Sequence, residues 1–382
     1  MLLPIYQRAP ITIDHGDGPY LYDTTGRRYL DFITGVGVNA LGHNHPRITK
    51  VIAEQAARCI HTSNLYHHAY LKPLAERLAK WSGLDQVFFT NSGSEAMETA
   101  LKAAKAYGTR RALGKFRIVA LNGGFHGRTM GSLSVTGSFK YRQPFHPLLP
   151  GITFVTRNSI DELRAAVTDE TAAIVVEPVQ GEGGIYPLQA DFLQEIQRLA
   201  VHHDALWIAD ETQCGLGRTG SYFAFQRIPN IQPDIVVTAK PLAAGLPLGA
   251  TMFNEKAASA FGPGTHGSTF GGGPLACRVA LEVLDIIEEL LPRIRTNGTY
   301  LRERLHELPA QEIRTAGMMA GIEMSTPAAS LVDEALQQGL LINCTHETTL
   351  RLLPPYIATQ EHIDEAMATL QTLCTQNTLT AA

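Results

Sequence analysis

Short runs of apolar residues alternate with longer amphipathic stretches between residues 85 and 253. The runs cover 85–90, 116–121, 152–155, 172–177, 205–210, 234–239 and 250–253. They are apolar at consecutive positions, which is typical of strands buried on both faces of a mostly parallel sheet. The intervening stretches, such as 161–167 and 191–203, have helical periodicity. The pattern predicts an α/β layer architecture, in which helices cover a parallel sheet.

The pattern changes after residue 281 and indicates a second unit. It predicts helices at 281–295 and 299–308, a strand-like segment at 312–324, a helix ending at Gly339, a strand at 340–344 and an amphipathic helix from about residue 361. We expect a smaller α+β domain. The predicted division is an N-terminal segment at 1–50 that packs with the small domain, a large domain at 51–284 and the small domain at 285–382.

Composition narrows the class of protein. The 382 residues are 45% hydrophobic and 18% charged, as in ordinary globular proteins, and the formal net charge of −4 argues against a nucleic-acid or membrane partner. The five cysteines are widely spaced and form no C-x-x-C, so neither a disulfide framework nor a thiolate zinc site is predicted. With no leader and no long apolar run, the sequence predicts a cytoplasmic protein.

The fourteen histidines include no H-E-x-x-H spacing. We therefore interpret them as loop and surface residues and expect no metal site.

Polar segments follow the predicted strands at the edge where open α/β sheets bind ligands. Ser92 and Glu95 have capping-box spacing, which puts Gly93 and Ser94 at a helix N-terminus that suits a phosphate group. A plain helix cap is the alternative interpretation. Asp210 ends a buried strand, where a charge needs a partner. The glycines that follow it match a dinucleotide fingerprint, but they open no helix, so we reject that match.

Lys240 follows the apolar run at 234–239 with no acidic residue nearby in sequence. Burial would lower the pKa of its amine and make it a nucleophile toward aldehydes. The alternative is a surface lysine that follows a strand by chance. A phosphate site, a strand-end carboxylate and a reactive lysine together indicate pyridoxal 5'-phosphate (PLP), which needs all three.

Eight motifs carry a resemblance to a known family. They are DFITGVGVNALGHNHP (31–46), NSGSEAMETALK (91–102), FHGRT (125–129), EPVQGEGG (177–184), the segment from DET-Q to GRTG (210–220), AKPLAAGLPLGA (239–250), HGSTFGGGPLAC (266–277) and LRLLPP (350–355). Over nearly its whole length the chain resembles the class III (ω-) aminotransferases of PLP fold type I. The resemblance is greatest to the acetylornithine aminotransferases.

The resemblance implies a set of cofactor-binding residues. Lys240 would form the Schiff base with PLP and carry the substrate proton. Asp210 would pair with the pyridinium nitrogen, Gln213 would lie near the ring hydroxyl, and Phe125 would stack on the ring. Gly93 and Ser94 would bind the phosphate from one subunit, and Ser268 and Thr269 would reach it from the partner. The resemblance therefore implies a homodimer with shared active sites.

The resemblance also implies residues that bind substrate. Arg128 would bind the distal carboxylate, and Arg351 would bind the α-carboxylate of glutamate. Glu182 would mask Arg351 for the other donor. Val36 stands where the ornithine enzymes have a tyrosine, which favours an acylated α-amine, although Val36 could also simply fill the core.

The implied activity is N2-acetylornithine:2-oxoglutarate transamination in arginine biosynthesis. The alternatives are an enzyme for succinylornithine, ornithine or 4-aminobutyrate, or a PLP-binding protein without catalysis. Gly273, Ala243 and Ala244 depart from the family pattern. We expect these departures to tune packing only.

Overall fold

A seven-stranded sheet lies at the centre of the computed structural model, which describes residues 2–381 and side chains as far as residue 375. The strands are β1 Ile13–Asp17, β2 Tyr20–Asp23, β3 Arg28–Asp31, β4 Gln86–Thr90, β5 Arg117–Leu121, β6 Ile152–Val155, β7 Thr171–Val176, β8 Val179–Gln180, β9 Tyr186–Pro187, β10 Leu206–Asp210, β11 Ile235–Thr238, β12 Gly249–Phe253, β13 Glu312–Thr315, β14 Ala320–Glu323, β15 Leu340–Leu341, β16 Asn343–Thr345 and β17 Thr349–Leu352.

The helices lie between these strands and at the C-terminal end. They are α1 Thr34–Gly37, α2 Pro46–Ala56, α3 Leu71–Ser82, α4 Gly93–Arg111, α5 Met130–Val135, α6 Phe139–Arg142, α7 Ile160–Ala166, α8 Ala190–His202, α9 Glu255–Ala258, α10 Pro274–Leu305, α11 Ala329–Gln337 and α12 Gln360–Ala381. Short 3-10 helices occupy Gln143–Phe145, Ala224–Arg227 and Lys240–Ala243.

The large sheet has the strand order β4-β12-β11-β10-β7-β5-β6 and contains all seven predicted runs. Its pairs are parallel except those of β12, which is antiparallel to both neighbours. Alternate residues of β7 belong to different clusters: Ala173 and Val175 pack with α4, and Ile174 and Val176 pack with α8. Since both faces are covered, apolar residues are needed at every position, which explains the continuous runs.

One helix, α10, replaces the two that the sequence predicts at 281–295 and 299–308. It runs for 32 residues through Pro292, although a proline removes one helical hydrogen bond. Leu291 and Ile294 are buried on either side of the proline, so packing keeps the helix continuous. The predicted boundary at residue 284 falls inside this helix, and residues 1 and 382 lie outside the described residues. The domain division stays a prediction.

The C-terminal part forms a second sheet, in the order β13-β14-β17-β16. The single strand expected at 312–324 is a hairpin of β13 and β14, because Gly317 turns the chain with a φ of 61°. A third sheet joins the two ends of the chain, since β3 pairs in parallel with β15. Among the helices of residues 2–381, none has the length and apolarity to span a bilayer.

Candidate active site

A cavity of about 390 Å³ lies at the carboxyl edge of the large sheet. Because β12 is antiparallel to both β11 and β4, β4 runs in the same direction as β10 and β11. The segments that follow these three strands therefore meet at the same edge of the sheet. Residues from all three segments line the cavity: Asn91, Ser92, Gly93, Ser94, Asp210, Thr212, Gln213, Ala239 and Lys240. His126, Glu177 and Glu182 complete the polar part of the wall, and Phe125 adds an aromatic ring.

Lys240 begins the 3-10 helix that follows β11, and its amine faces this cavity. Burial and the nearby cation of Arg351 lower the pKa of Lys240 to about 8, against the raising effect of Glu182 and other carboxylates. A lysine with such a pKa has an appreciable neutral fraction near neutral pH. The desolvation expected from sequence is therefore present, and the catalytic role of Lys240 stays a prediction here.

Asp210 is the last residue of β10 and is 3% exposed. Its Oδ2 lies 2.8 Å from His126 Nδ1, and its Oδ1 accepts a hydrogen bond from the backbone of Thr212 at 3.1 Å. Burial alone would lower the pKa of His126, but the hydrogen bond and charge of Asp210 raise it above its ordinary value. The partner that a buried strand-end carboxylate requires is thus a histidine.

His126 contradicts the interpretation of the histidines as loop and surface residues, because its side chain is buried. Its position beside Phe125 in FHGRT was the available signal. No periodicity links it to an aspartate 84 positions later.

Glu177 is a second site residue that the sequence interpretation missed. It is buried, and its two oxygens accept backbone hydrogen bonds from Phe125 at 2.9 Å and from Gly181 at 3.1 Å. Burial raises its pKa to about 7. Glu177 therefore fixes both the turn that presents Phe125 and the glycine-rich loop that carries Glu182.

The start of α4 has the capping expected from sequence, with one difference. Ser92 Oγ accepts a hydrogen bond from Glu95 N at 3.2 Å, but the Glu95 carboxylate bonds to Asn91 N instead of Ser92 N. A Cβ on Gly93 would lie 2.8 Å from Thr212 Cγ2, so a side chain there would displace Thr212. Gly93 and Ser94 line the cavity where a helix leaves backbone N–H groups unpaired.

Glu182 and Arg351 form an ion pair at the cavity, with 2.6 Å between Oε1 and Nη1. Arg351 comes from β17 and is 1% exposed; it also donates to Gln213 Oε1 at 3.2 Å and to Asn343 Oδ1 at 3.1 Å. Burial would raise the pKa of Glu182, but the charge of Arg351 lowers it, so Glu182 is an anion. The structure thus brings together the two residues that the sequence predicts as a masking pair.

Arg128 lies on the open side of the site. Its guanidinium carbon is 3.7 Å from the ring centroid of Tyr141 and 5.5 Å from that of Phe125. Phe125 and Tyr141 also line a second cavity of about 510 Å³, which shares Phe125 and Glu182 with the first. Arg128 is therefore positioned beside the wall between the two cavities, and Tyr141 is a further neighbour that sequence alone did not indicate.

Among the predicted cofactor- and substrate-binding residues, four do not line the first cavity, and neither does Val36; the four are Arg128, Arg351, Ser268 and Thr269. Ser268 Oγ accepts a hydrogen bond from Gly271 N at 3.0 Å within its own loop, and Thr269 is exposed. Val36 packs against an apolar cluster in a left-handed conformation, while Val38 lines the cavity. Ser268 Oγ also accepts a hydrogen bond at 3.4 Å from Asn91 Nδ2, a residue that lines the cavity, and the contact of Ser268 and Thr269 with a partner's phosphate stays a prediction.

The donor set suits PLP. The cavity offers an amine with a lowered pKa, a buried carboxylate held by an imidazole, an aromatic ring and a helix N-terminus whose glycine packs closely against Thr212. These groups match the aldehyde, the pyridine nitrogen, the ring and the phosphate, respectively.

Comparisons with known proteins agree with this chemistry. The model of the family "Aminotransferase class-III" matches residues 4–374. The acetylornithine aminotransferase of Aquifex aeolicus is 44% identical over 97% of this chain and 98% of its own length.

Solved structures have the same fold. An ornithine aminotransferase from Toxoplasma gondii with PLP at its active site has a TM-score of 0.92 at 31% identity and covers 99% of this chain and 93% of its own. An N-acetylornithine aminotransferase from Stenotrophomonas maltophilia has a TM-score of 0.85 at 30% identity and covers 98% of each chain. These matches confirm the predicted fold type and cofactor, and the chain belongs to the class III aminotransferases, a family of PLP-dependent enzymes.

Proposed function

We propose that the enzyme transfers the 5-amino group of N2-acetylornithine to 2-oxoglutarate in two half-reactions of a ping-pong cycle, as a step of arginine biosynthesis. The Glu182–Arg351 ion pair beside Lys240 carries this proposal, because it suits a site that must accept donors with and without a carboxylate on the reacting carbon. The 44% identity to an acetylornithine aminotransferase supports the choice of donor. Ornithine, succinylornithine and 4-aminobutyrate are the alternatives.

PLP, when bound, accepts the amino group and takes up the electrons released at the substrate carbon. We assign its pyridine nitrogen to Asp210, which His126 holds in place at 2.8 Å. The phosphate is assigned to the N–H groups of Gly93 and Ser94. Phe125 would stack on the ring, and Gln213 would lie near the ring hydroxyl.

Lys240 is the proposed nucleophile and proton carrier. Its amine would have to be neutral to attack the aldehyde, and it would afterwards carry the proton from the substrate carbon to the cofactor carbon. The pKa of about 8 allows both states near neutral pH. A lysine of ordinary pKa at this position would have an almost wholly protonated amine near neutral pH.

Arg351 and Glu182 form the proposed donor switch. The α-carboxylate of glutamate replaces Glu182 on the Arg351 guanidinium, whereas the reacting carbon of acetylornithine has no carboxylate and leaves the ion pair closed. Without Glu182, Arg351 would be a buried cation without its anion when acetylornithine binds, which is costly. Arg128 binds the distal carboxylate of either donor as a bidentate partner.

We further propose a homodimer in which Ser268 and Thr269 reach the partner's phosphate site. Large apolar side chains are exposed near this loop, at Ile60, Leu65, Tyr66 and Phe270. Asn64 Nδ2 ties the two segments together through Ser268 O at 2.8 Å and Gly271 O at 3.2 Å. Such an exposed apolar group is typical of a subunit interface.

We place the enzyme in the cytoplasm. Cys59, Cys214, Cys277 and Cys344 are free thiols, as suits a compartment that keeps thiols reduced.

A screen of amino donors in single half-reactions tests the activity. Acetylornithine and glutamate are expected to convert the bound cofactor to its amino form, seen as loss of its visible absorption. Ornithine and 4-aminobutyrate should react at least ~10-fold more slowly per unit concentration, since a polar or missing group then faces a site built for an acylated amine. A faster reaction with either of them assigns the enzyme to that donor instead, and no reaction with any donor supports a non-catalytic PLP protein.

Glu182→Ala tests the switch. The acetylornithine half-reaction should weaken by about 5- to 150-fold relative to the glutamate half-reaction, equivalent to about 1–3 kcal/mol for an uncompensated buried charge. Stopped-flow measurement of both half-reactions gives the ratio. Asp191→Ala on α8, far from the cavity lining, is the control and should leave the ratio unchanged. Equal losses with both donors contradict the switch.

The pH dependence of acylation tests the state of Lys240. In protein freed of cofactor, the rate of labelling by an amine-reactive reagent should rise with a midpoint near pH 8 at Lys240, because only the neutral amine reacts and the folded pKa is lowered to about 8. Arg351→Gln removes a cation that lowers this pKa, so the midpoint should move to higher pH. Peptide mapping separates Lys240 from exposed lysines such as Lys72. If the labelling of Lys240 and of Lys72 has the same pH midpoint, the assignment is contradicted.

Mixed dimers test the shared site. Lys240→Ala and Thr269→Asp chains should each be inactive, and their mixture should regain about one quarter of wild-type activity, since half of randomly formed dimers are hybrids with one intact site of two. Lys240→Ala mixed with Asp210→Ala is the control and should stay inactive, because both residues serve the same chain's site. Normal cofactor affinity in Thr269→Asp alone contradicts the arrangement.

A further inference from the structure

The loop that carries Glu182 is rich in glycine and yet closely packed. A Cβ on Gly183 would lie 2.7 Å from the carbonyl oxygen of Gly123, and Gly184 has a φ of 106°, which disfavours other residues. Gly181 N is held by Glu177 at 3.1 Å. The glycines therefore permit close approach of neighbouring backbone and do not by themselves make the loop mobile.

The loop packs closely against the small sheet at Gly321. In its register, Gly321 of β14 lies opposite Arg314 of β13 on one side and opposite Arg351 of β17 on the other. Side chains of directly opposed residues point to the same face, so the two arginines flank a position that has no side chain. A Cβ on Gly321 would lie 2.9 Å from Gly184 O and 3.1 Å from Ile185 Cβ. The loop thus rests on the sheet at Gly321, between the two arginines.

Arg314 binds the backbone of the loop, whereas Arg351 binds its side chain. Arg314 Nε donates to Gly184 O at 2.7 Å, and its guanidinium also contacts the carboxylates of Glu312 and Glu323. Arg314 is 6% exposed, so this anchor is shielded from water.

The other flank of Glu182 has its own anchor, because Thr345 Oγ1 donates to Glu182 O. Hydrogen bonds from the small sheet therefore fix the backbone at Glu182 and Gly184. The Glu182 side chain remains 27% exposed and contacts Arg351. The carboxylate can leave Arg351 by rotation about side-chain bonds, without movement of the loop.

We propose that Gly321 and Arg314 are specificity-determining positioning residues, which hold the loop so that the choice between donors depends on rotation of the Glu182 side chain alone. Neither residue touches substrate in this scheme. This inference rests on the proposed donor switch and adds to it the structural base on which the switch works.

Displacing the loop should consequently unmask Arg351 even with Glu182 intact. Because Gly321 has an ordinary strand conformation, Gly321→Ala keeps the backbone of β14. Its Cβ would come closest to the loop, at Gly184 O, and would also lie 3.1 Å from Thr349 Cγ2 of β17. The half-reaction with glutamate should then become faster relative to that with acetylornithine, as in Glu182→Ala. A general loss of folding would instead lower the rates of both half-reactions together.

Gly321→Ala is compared with wild type and with Glu182→Ala in the holoenzyme. The acetylornithine half-reaction is expected to fall at least ~5-fold relative to that of glutamate. Glutarate, a dicarboxylate that cannot react, should bind ~5-fold more tightly, because Arg351 is freed. Gly262→Ala is the matched control, since a Cβ there meets nothing within 4 Å, and it should change neither quantity.

Arg314 is tested with two substitutions, so that a folding defect is recognised. Arg314→Lys keeps a cation for Glu312 and Glu323 and should shift the donor ratio less than Arg314→Met. Urea denaturation of both variants measures their stability. A lower stability with an unchanged donor ratio means that Arg314 is structural only.

The outcomes separate this inference from the switch itself. If Glu182→Ala shifts the donor ratio and Gly321→Ala does not, the contact of the loop with Gly321 has no influence on donor choice and the inference is overturned. If Glu182→Ala has no effect on the ratio, the proposed switch fails first. A shift in both, with tighter glutarate binding, supports the two together.

Discussion

Compensation of charge in a buried site is the constraint on which this active site depends. Asp210 ends a strand that has no access to water on either face, and the imidazole of His126 lies against its carboxyl group. Arg351 is equally buried and has Glu182 as its counter-ion. Lys240 lies among these groups, and the balance of burial, Arg351 and the carboxylates determines the pKa of its amine. The chemistry is thus set by pairs, not by single residues.

The sequence predicted the large sheet closely and the second half of α10 poorly, for different physical reasons. Strands such as β7 are buried on both faces, so their apolar runs are unbroken and easy to recognise. The predicted break in α10 at 296–298 contains Asn297 and Gly298, which favour helices weakly. Both are buried inside the continuous helix, and Asn297 Nδ2 donates to Ala358 O at 2.7 Å. Local patterns fail where tertiary contacts decide the conformation.

The site was predictable where motifs lie next to strand ends and unpredictable where partners are distant. Lys240 and Asp210 follow apolar runs, and the structure places both at one cavity. His126 and Glu177 were missed because their partners are fixed only by the folded sheet. Gly321 carries no chemical group, and its importance is visible only from the backbone that rests on it.

The reversed strand β12 has a consequence for the lysine. A parallel neighbour would need a long crossover after β11, but an antiparallel one lets the chain return within ten residues, between Thr238 and Gly249. Both ends of this connection are held in the register that pairs Val237 with Thr251 and Thr238 with Ala250. The main chain at Lys240 therefore has little freedom, and the amine is confined to the volume that its own side chain can sweep. That confinement gives it a high effective concentration toward any aldehyde bound in the cavity, before any charge effect is counted.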